Sequence, residues 1–378
     1  MSLLSRLEAM LGPSRAPVER PRAPRSLPPG RWIDEGVYLM ETTIPLERDE
    51  APLLALWGDR DGALCFDLET TGLAGGTGTY AFLAGVGRIG ARSIETGQLF
   101  LTSPAFEEAW LAALETLLPP PSPLVTYNGK RFDVPLLQTR RTLHRKAPLE
   151  PEGHLDLLHL ARALWSARLP SCRLGEVERS VLGLRRSGDD VPGSLVPDLY
   201  RDFLRSGDAA PLEGVFYHNR MDLVALALLR DRVALAMAGR RGDGAELVAA
   251  GRAWQRAGGR DEALELWRKA REKGAEGALE CLARSAKIDH RWEEALTLWE
   301  EALSASGDPS VAVELAKACE HRLGDIARAR LWAEEARRLL DGRRPLMEGP
   351  EWRRLRGEID HRLRRLARKE SGLPRERV

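Results

Sequence analysis

Near Gly239 the chain changes character, and that break constrains its fold more than any other feature. Before it, short apolar runs alternate with glycine, proline and asparagine turn residues. After it, the sequence is rich in alanine and leucine and holds six of the ten tryptophans. In this later part Ala263-Leu264-x-x-Trp267-x-x-Ala270 recurs as Ala295-Leu296-x-x-Trp299-x-x-Ala302, 32 residues on, and Ala329 and Ala336 repeat the alanine spacing after a further 34. A period of that length belongs to stacked helix hairpins, where small alanines let helices approach and large tryptophans fill the space between hairpins. At 378 residues the chain also exceeds the length at which single cores stop growing, roughly 250–300. Two domains are therefore expected.

The first part reads as a mixed sheet covered by helices. GVYLMETTIPL, ALCFDL, TYAFLAGVGRI and ARSIETGQLFL match strands in length and composition, and the glycines between the last two predict a hairpin. The pattern then alternates: a helix over 105–118 stopped by Pro119, Pro120 and Pro121, a strand over 124–127, a helix over 133–143 and a strand over 154–158. Strands first and alternation afterwards give an α/β mixed sheet flanked by helices. Gly85-x-Gly87-x-x-Gly90 has the spacing of a dinucleotide fingerprint, but the sequence after it is strand-like where the fingerprint needs a helix. Gly75 to Thr79 lacks the Lys-Ser/Thr ending of a phosphate-binding loop.

Composition narrows the setting. Lys+Arg 57 against Asp+Glu 56 leaves a net charge of +1, so charge names no partner. Cys65, Cys172, Cys281 and Cys319 lie far apart without a C-x-x-C pair, which suggests neither zinc site nor disulfide framework and suits a reducing compartment. The start MSLLSRLEAML has no signal-peptide pattern, and the charge-poor stretch 70–87 is full of glycine and threonine rather than continuously apolar. A cytoplasmic protein with no membrane association is expected.

The chemical signal is a set of acids in three segments. In Cys65-Phe66-Asp67-Leu68-Glu69-Thr70-Thr71-Gly72 two carboxylates sit two residues apart in an apolar strand, so both face one side of the sheet. Like charges this close share a proton or coordinate metal, and hard oxygen ligands favour Mg2+ or Mn2+. A second segment, Tyr127-Asn128-Gly129-Lys130-Arg131-Phe132-Asp133-Val134-Pro135-Leu136-Leu137, joins a strand to a helix near Asp133. A third, Tyr217-His218-Asn219-Arg220-Met221-Asp222, opens a long helix, and the i, i+4 spacing puts His218 and Asp222 on one face.

DLETTG, YNGKRFDVPLL and HNRMD, in that order, resemble the three motifs of the DEDD exonuclease superfamily, whose fold is ribonuclease-H-like. The middle motif is similar to that of family B polymerase proofreading domains. GLAGGTGTYAFLAGVG, HLDLLHLARAL and LPSCRLGEVERSVLGL further resemble the bacterial YprB-type predicted exonucleases, over roughly residues 31–240. The resemblance implies that Asp67, Glu69, Asp133 and Asp222 hold two Mg2+ or Mn2+ ions, which in such sites lie about 3.5–4 Å apart and serve in-line phosphodiester hydrolysis. It implies a divalent-metal-dependent 3′–5′ exonuclease acting on DNA or RNA 3′ ends.

The pattern departs from the superfamily at one point. One branch has tyrosine four residues before the last aspartate, where this chain has His218; another has histidine five before, where it has Tyr217. Both are candidate general bases, with His218 favoured because it shares a helical face with Asp222. Lys130, Arg131, Arg162 and Arg173 are cations suited to phosphates, and Lys130 lies inside the second motif. Together with Thr70, Asn128 and Asp156 it makes up the expected substrate-contacting set.

The expected layout is an unpacked Pro/Arg-rich arm over 1–30, a ribonuclease-H-like exonuclease domain over 31–242, all-α repeats over 243–345 whose spacing is similar to tetratricopeptide repeats, and a basic amphipathic helix and tail over 346–378. The repeats would bind a protein partner, and the last helix would cap them. Two other functions use the same residues: a nucleic-acid-end-binding adaptor of weak activity, or a structure-selective endonuclease.

Overall fold

The computed structural model describes residues 24–371 apart from 49, 73–77, 189 and 344–348. The start of the proline-rich arm, the Gly75–Thr77 part of the glycine-rich stretch and the last seven residues lie outside the described residues. Two compact units emerge, Met1–His159 with Arg173–Asp231, and Leu160–Cys172 with Arg232–Val378.

The first unit is built on seven strands, β1 (Arg31–Asp34), β2 (Val37–Pro45), β3 (Leu64–Thr70), β4 (Ala81–Ile89), β5 (Ser93–Leu101), β6 (Leu124–Thr126) and β7 (His154–Asp156). Their order in the sheet is β1-β2-β5-β4-β3-β6-β7. Neighbours are antiparallel from β1 to β3, while β6 and β7 run parallel to β3. Parallel neighbours need crossovers, supplied here by the segments carrying helices α1 (Glu107–Leu117) and α2 (Asp133–Leu143). The expected hairpin is the β4–β5 pair, closed where the Gly90 amide donates to the Ser93 carbonyl at 2.8 Å. Gly85 and Gly87 are consequently strand residues rather than parts of a phosphate loop. The expected strand over 154–158 stops at Asp156, because its carboxylate accepts the Leu158 amide at 3.1 Å and starts helix α3 (Leu157–Trp165).

An aromatic core ties the sheet to a helix that follows a single turn, α4 (Leu174–Val177). That helix is α5 (Val196–Ser206). Tyr200 stacks on Phe82 with ring centres 4.0 Å apart and donates its hydroxyl to the Leu101 carbonyl at 2.8 Å. Phe100 meets Phe82, Tyr200 and Phe216 edge-on. Residues 24–30, expected to be unpacked, lie against this unit: Arg25 exchanges backbone hydrogen bonds with Gly207 and Ala209, Leu27 packs on the core, and the Pro28 carbonyl accepts the Tyr38 hydroxyl. Proline does not prevent packing where the chain uses its carbonyls and leaves its missing amides at the surface.

The second unit is helical. Its helices are α7 (Gly244–Ala257), α8 (Arg260–Glu272), α9 (Ala278–Ile288), α10 (Trp292–Ser306), α11 (Pro309–Ala318), α12 (Ile326–Gly342) and α13 (Pro350–Glu370). They pair as α7 with α8, α9 with α10, and α11 with α12, and α13 packs on α12. The recurring alanines and tryptophans fall on the second helix of each pair. Ala263, Trp267, Ala270, Ala295, Trp299, Ala302, Ala329 and Ala336 are all buried. In the third pair Ala333 sits where the others have tryptophan, and Trp332 is turned aside, its indole N–H without a partner among the described residues.

Two further features differ from expectation. The unit begins at Arg232 rather than 243 and takes in residues 160–172, because fully buried Trp165 donates its indole N–H to Glu246 at 2.8 Å while Arg232 pairs with the same carboxylate at 2.6 Å. The arginines of α13 do not all face water: buried Glu320 gathers Arg362, Arg365 and Lys369 at 2.5–2.9 Å. Among the described residues no helix is long and apolar enough to cross a membrane.

Trp267 is fully buried, with its N–H satisfied by the Val248 carbonyl. Trp267→Ala should cost about 3–5 kcal/mol, while Trp332→Phe, which removes an unpaired N–H and part of a half-buried ring, should cost far less. Chemical denaturation of the two variants tests the contrast.

Candidate active site

Asp67 and Glu69 occupy alternate positions of β3, so they project from one face while Phe66 and Leu68 enter the core on the other. Asp133 is the first residue of α2. Asp222 lies in the third turn of the long helix α6 (Glu213–Met237). The fold brings these four carboxylates within electrostatic reach of one another. Burial raises Asp67 well above the usual carboxylate range, and Asp222, Glu69 and Asp133 push it further. Glu69, 9% exposed, is raised in the same way by burial and then by Asp222 and Asp133. Asp133 is pushed up to about 7, by burial first and then by Asp156 and Asp222.

One row of residues holds Asp67 in this position. Asp67 on β3 pairs with Gly85 on β4, which pairs with Gln98 on β5. Asn219 of α6 is laid over the row, fully buried: its amide donates to Asp67 Oδ2 at 2.8 Å, and its Oδ1 accepts from Gln98 Nε2 at 2.9 Å. Gln98 also donates to the Phe216 carbonyl at 2.8 Å. A Cβ on Gly85 would lie 2.4 Å from Asn219 Oδ1, so only glycine admits the side chain there. Gly85, Gln98 and the role of Asn219 were not visible in the sequence motifs. Asn219 lay inside the third motif, but its purpose depends on strand register.

The second motif is anchored from behind. Asp156, expected to contact substrate, is 4% exposed and accepts the backbone amides of Asn128 at 2.7 Å and Lys130 at 3.1 Å. Its carboxylate is thereby committed to shaping the turn that presents Asp133, with Asn128 held at φ 66°. Lys130 is exposed and Asn128 half-buried beside it. Thr70, at the end of β3, donates its hydroxyl to the Gly72 carbonyl at 2.9 Å.

The two candidate bases face different ways. His218 Nε2 lies 3.7 Å from Asp222 Oδ2, and its Nδ1 is 2.7 Å from Asp190 Oδ1. The Tyr217 hydroxyl accepts the Ser187 amide at 2.9 Å. Arg186 enters the same cluster: it pairs with Asp222, with Glu178 at 2.5 and 2.8 Å, and with Asp190 at 3.6 Å, and its NH1 is 3.0 Å from His218 Nδ1. Sequence reading missed Arg186 and Asp190, which precede Asp222 by more than thirty residues and lie outside the quoted motifs, and did not single out Glu178 within LPSCRLGEVERSVLGL.

The donor set of four hard, mutually repelling carboxylates suits a divalent cation. As they stand, however, no three His, Cys, Asp or Glu side chains among the described residues are disposed to hold a metal ion. The positive charge at Asp222 is the Arg186 guanidinium.

The RNase H superfamily profile matches residues 64–234, the stretch that runs from β3 through the site-bearing part of α6. A Bacillus subtilis (strain 168) protein described as uncharacterised protein YprB is 36% identical over 290 residues, covering 74% of this chain and 70% of that protein. The chain belongs to the family of this YprB protein, and its residues 64–234 form a domain of the RNase H superfamily. Its sheet unit is a nuclease-type domain of that superfamily, whose nucleases act on nucleic acid and use divalent metals.

Two outcomes follow for this RNase H superfamily site. Folded Asp133 holds its proton more tightly than the unfolded chain does, so on its account the metal-free protein loses stability as pH rises from 3.8 through about 7. Asp133→Asn should flatten that dependence, as read from urea midpoints between about pH 5 and pH 8. Gly85→Ala should displace Asn219 and cost about 1–3 kcal/mol, measurable by the same denaturation.

Proposed function

We propose that this protein is a divalent-metal-dependent 3′–5′ exonuclease. The observation that carries the reading is the convergence of Asp67, Glu69, Asp133 and Asp222, from one strand and two helices, into a cluster where burial and neighbouring carboxylates raise the pKa of Asp67, Glu69 and Asp133. These four would hold the cations, two Mg2+ or Mn2+. When bound, such ions supply Lewis acidity at the phosphodiester and charge opposite the leaving oxygen. The 3′–5′ polarity rests on the content and order of DLETTG, YNGKRFDVPLL and HNRMD.

The remaining chemistry belongs to the chain. Asp190 holds the Nδ1–H of His218, which leaves Nε2, on the Asp222 side, free to accept the proton of an attacking water. That geometry supports His218 rather than Tyr217, whose hydroxyl is engaged with Ser187. Lys130 supplies a cation for phosphate and Asn128 a polar side chain beside it, while Thr70 lies next to Glu69. Phe132, 46% exposed directly before Asp133, offers a ring on which a terminal base can stack. The helical unit serves as a tetratricopeptide-like interaction module over 243–345, a reading supported by the buried alanine and tryptophan positions of α8 and α10.

The test is incubation of the full chain, with Mg2+ or Mn2+, on end-labelled single- and double-stranded DNA and RNA. Wild type should release nucleotides stepwise from the 3′ end. Asp67→Asn and Asp222→Asn should each slow this about 10³-fold, equivalent to about 4 kcal/mol of barrier. His218→Ala should lower turnover about 10²-fold and Tyr217→Phe far less. Unimpaired cleavage by Asp67→Asn would remove the assignment, and retention of labelled ends without cleavage would favour an end-binding adaptor.

A further inference from the structure

We infer that Arg186 is the resident counter-ion of the metal-free site and has to release Asp222 before a divalent cation can be held there. The inference rests on the metal-dependent reading of the same site. Its ground is the guanidinium on Asp222 Oδ1, together with the absence of any three side chains disposed for metal among the described residues. An oxygen whose lone pair faces a guanidinium cannot present it to a metal at the same time, so the two cations compete for one ligand.

The surroundings of Arg186 suit an exchange rather than a permanent bridge. Its side chain is 13% exposed and meets acids from three directions: Glu178 on the preceding π turn (Glu178–Leu182), Asp190 on its own segment and Asp222 on α6. Its charge also offsets the repulsion felt by Glu69. Glu178 takes the guanidinium in two-pronged fashion, Nε to Oε2 at 2.8 Å and NH2 to Oε1 at 2.5 Å. That fork keeps Arg186 paired after it gives up Asp222, so release leaves no buried charge stranded. Ser187, the next residue, donates its amide to the Tyr217 hydroxyl and ties the same segment to α6. Substitution of Arg186 should therefore act on metal affinity in the direction opposite to loss of a supporting residue.

The magnitude follows from competition. A ligand that is free in one molecule of ten weakens apparent metal affinity about tenfold. Mn2+ binding to the full chain, followed by the electron-spin resonance of free Mn2+ and independent of catalysis, reads this directly. Arg186→Gln should bind Mn2+ about tenfold or more tightly than wild type, and should melt lower than wild type without metal. Arg185→Gln, at the exposed neighbouring position, should bind as wild type does. Arg186→Lys, which keeps the charge but lacks the two-pronged fork, should bind a few-fold more tightly and provides the reading should the glutamine variant fail to fold. Equal or weaker Mn2+ binding by the Arg186 variants, with wild type binding normally, overturns the inference while leaving the metal-dependent reading intact. Absence of Mn2+ binding by every protein overturns both.

Discussion

Four carboxylates that would separate in water are held within reach of one another, and the rest of the sheet unit is arranged around that repulsion. The constraint is met at Asp67. Its neighbour across the sheet is Gly85, the next is Gln98, and Asn219 fills the space that the missing Cβ leaves. Gln98 and Asn219 are fully buried and lead to half-buried Asp67, and a buried polar chain is favourable only when every member is satisfied. It therefore fixes α6 against β3 at one register. That register brings Asp222, one helical turn further along, to the same cluster. Arg186 then supplies the charge that carboxylate repulsion demands.

The sequence made the frame legible because its signals were local. Strands of β2 to β5 and the start of α2 were readable from apolar alternation and turn residues, and the four acids from their motifs. The alanine and tryptophan positions of α8 and α10 were readable because a 32-residue repeat needs no three-dimensional knowledge to notice. What escaped reading was set by distant pairing. The glycines from Gly85 to Gly90 read from sequence as part of a hairpin, and the room that Gly85 leaves for Asn219 follows only from its register with Asp67 and Gln98. Arg186 lies on a segment without periodicity, and only the fold carries it to Asp222.

The same cause explains two further departures from expectation. Asp156 sits between a strand and a helix, where an acid can face substrate or cap backbone, and the composition around it is the same in both cases. The decision comes from the turn at Asn128, whose amides and that of Lys130 need an acceptor; once buried, unpaired amides would cost more than an exposed acid could return. Trp165 raises the matching problem for the boundary between units. Helix α3 opens directly after strand β7, yet the Trp165 indole is buried and donates to Glu246; a single N–H that requires an acceptor sets the boundary, and composition does not record it.

The exchange of Tyr217 and His218 relative to the superfamily pattern is consistent with this arrangement. Residues one apart on a helix diverge by about 100°, so swapping their identities changes which group faces the carboxylates. Here the face shared with Asp222 carries the imidazole, and the phenol is turned toward Ser187. An imidazole on that face needs its far nitrogen fixed, because a free ring would rotate and present either atom. Asp190 meets that need at 2.7 Å. Asp190 and Arg186 stand on one short segment, so the group that orients His218 and the group that neutralises Asp222 are delivered together. The contact to His218 and the ion pair to Asp222 thus both depend on how the chain at Arg186 and Asp190 is placed.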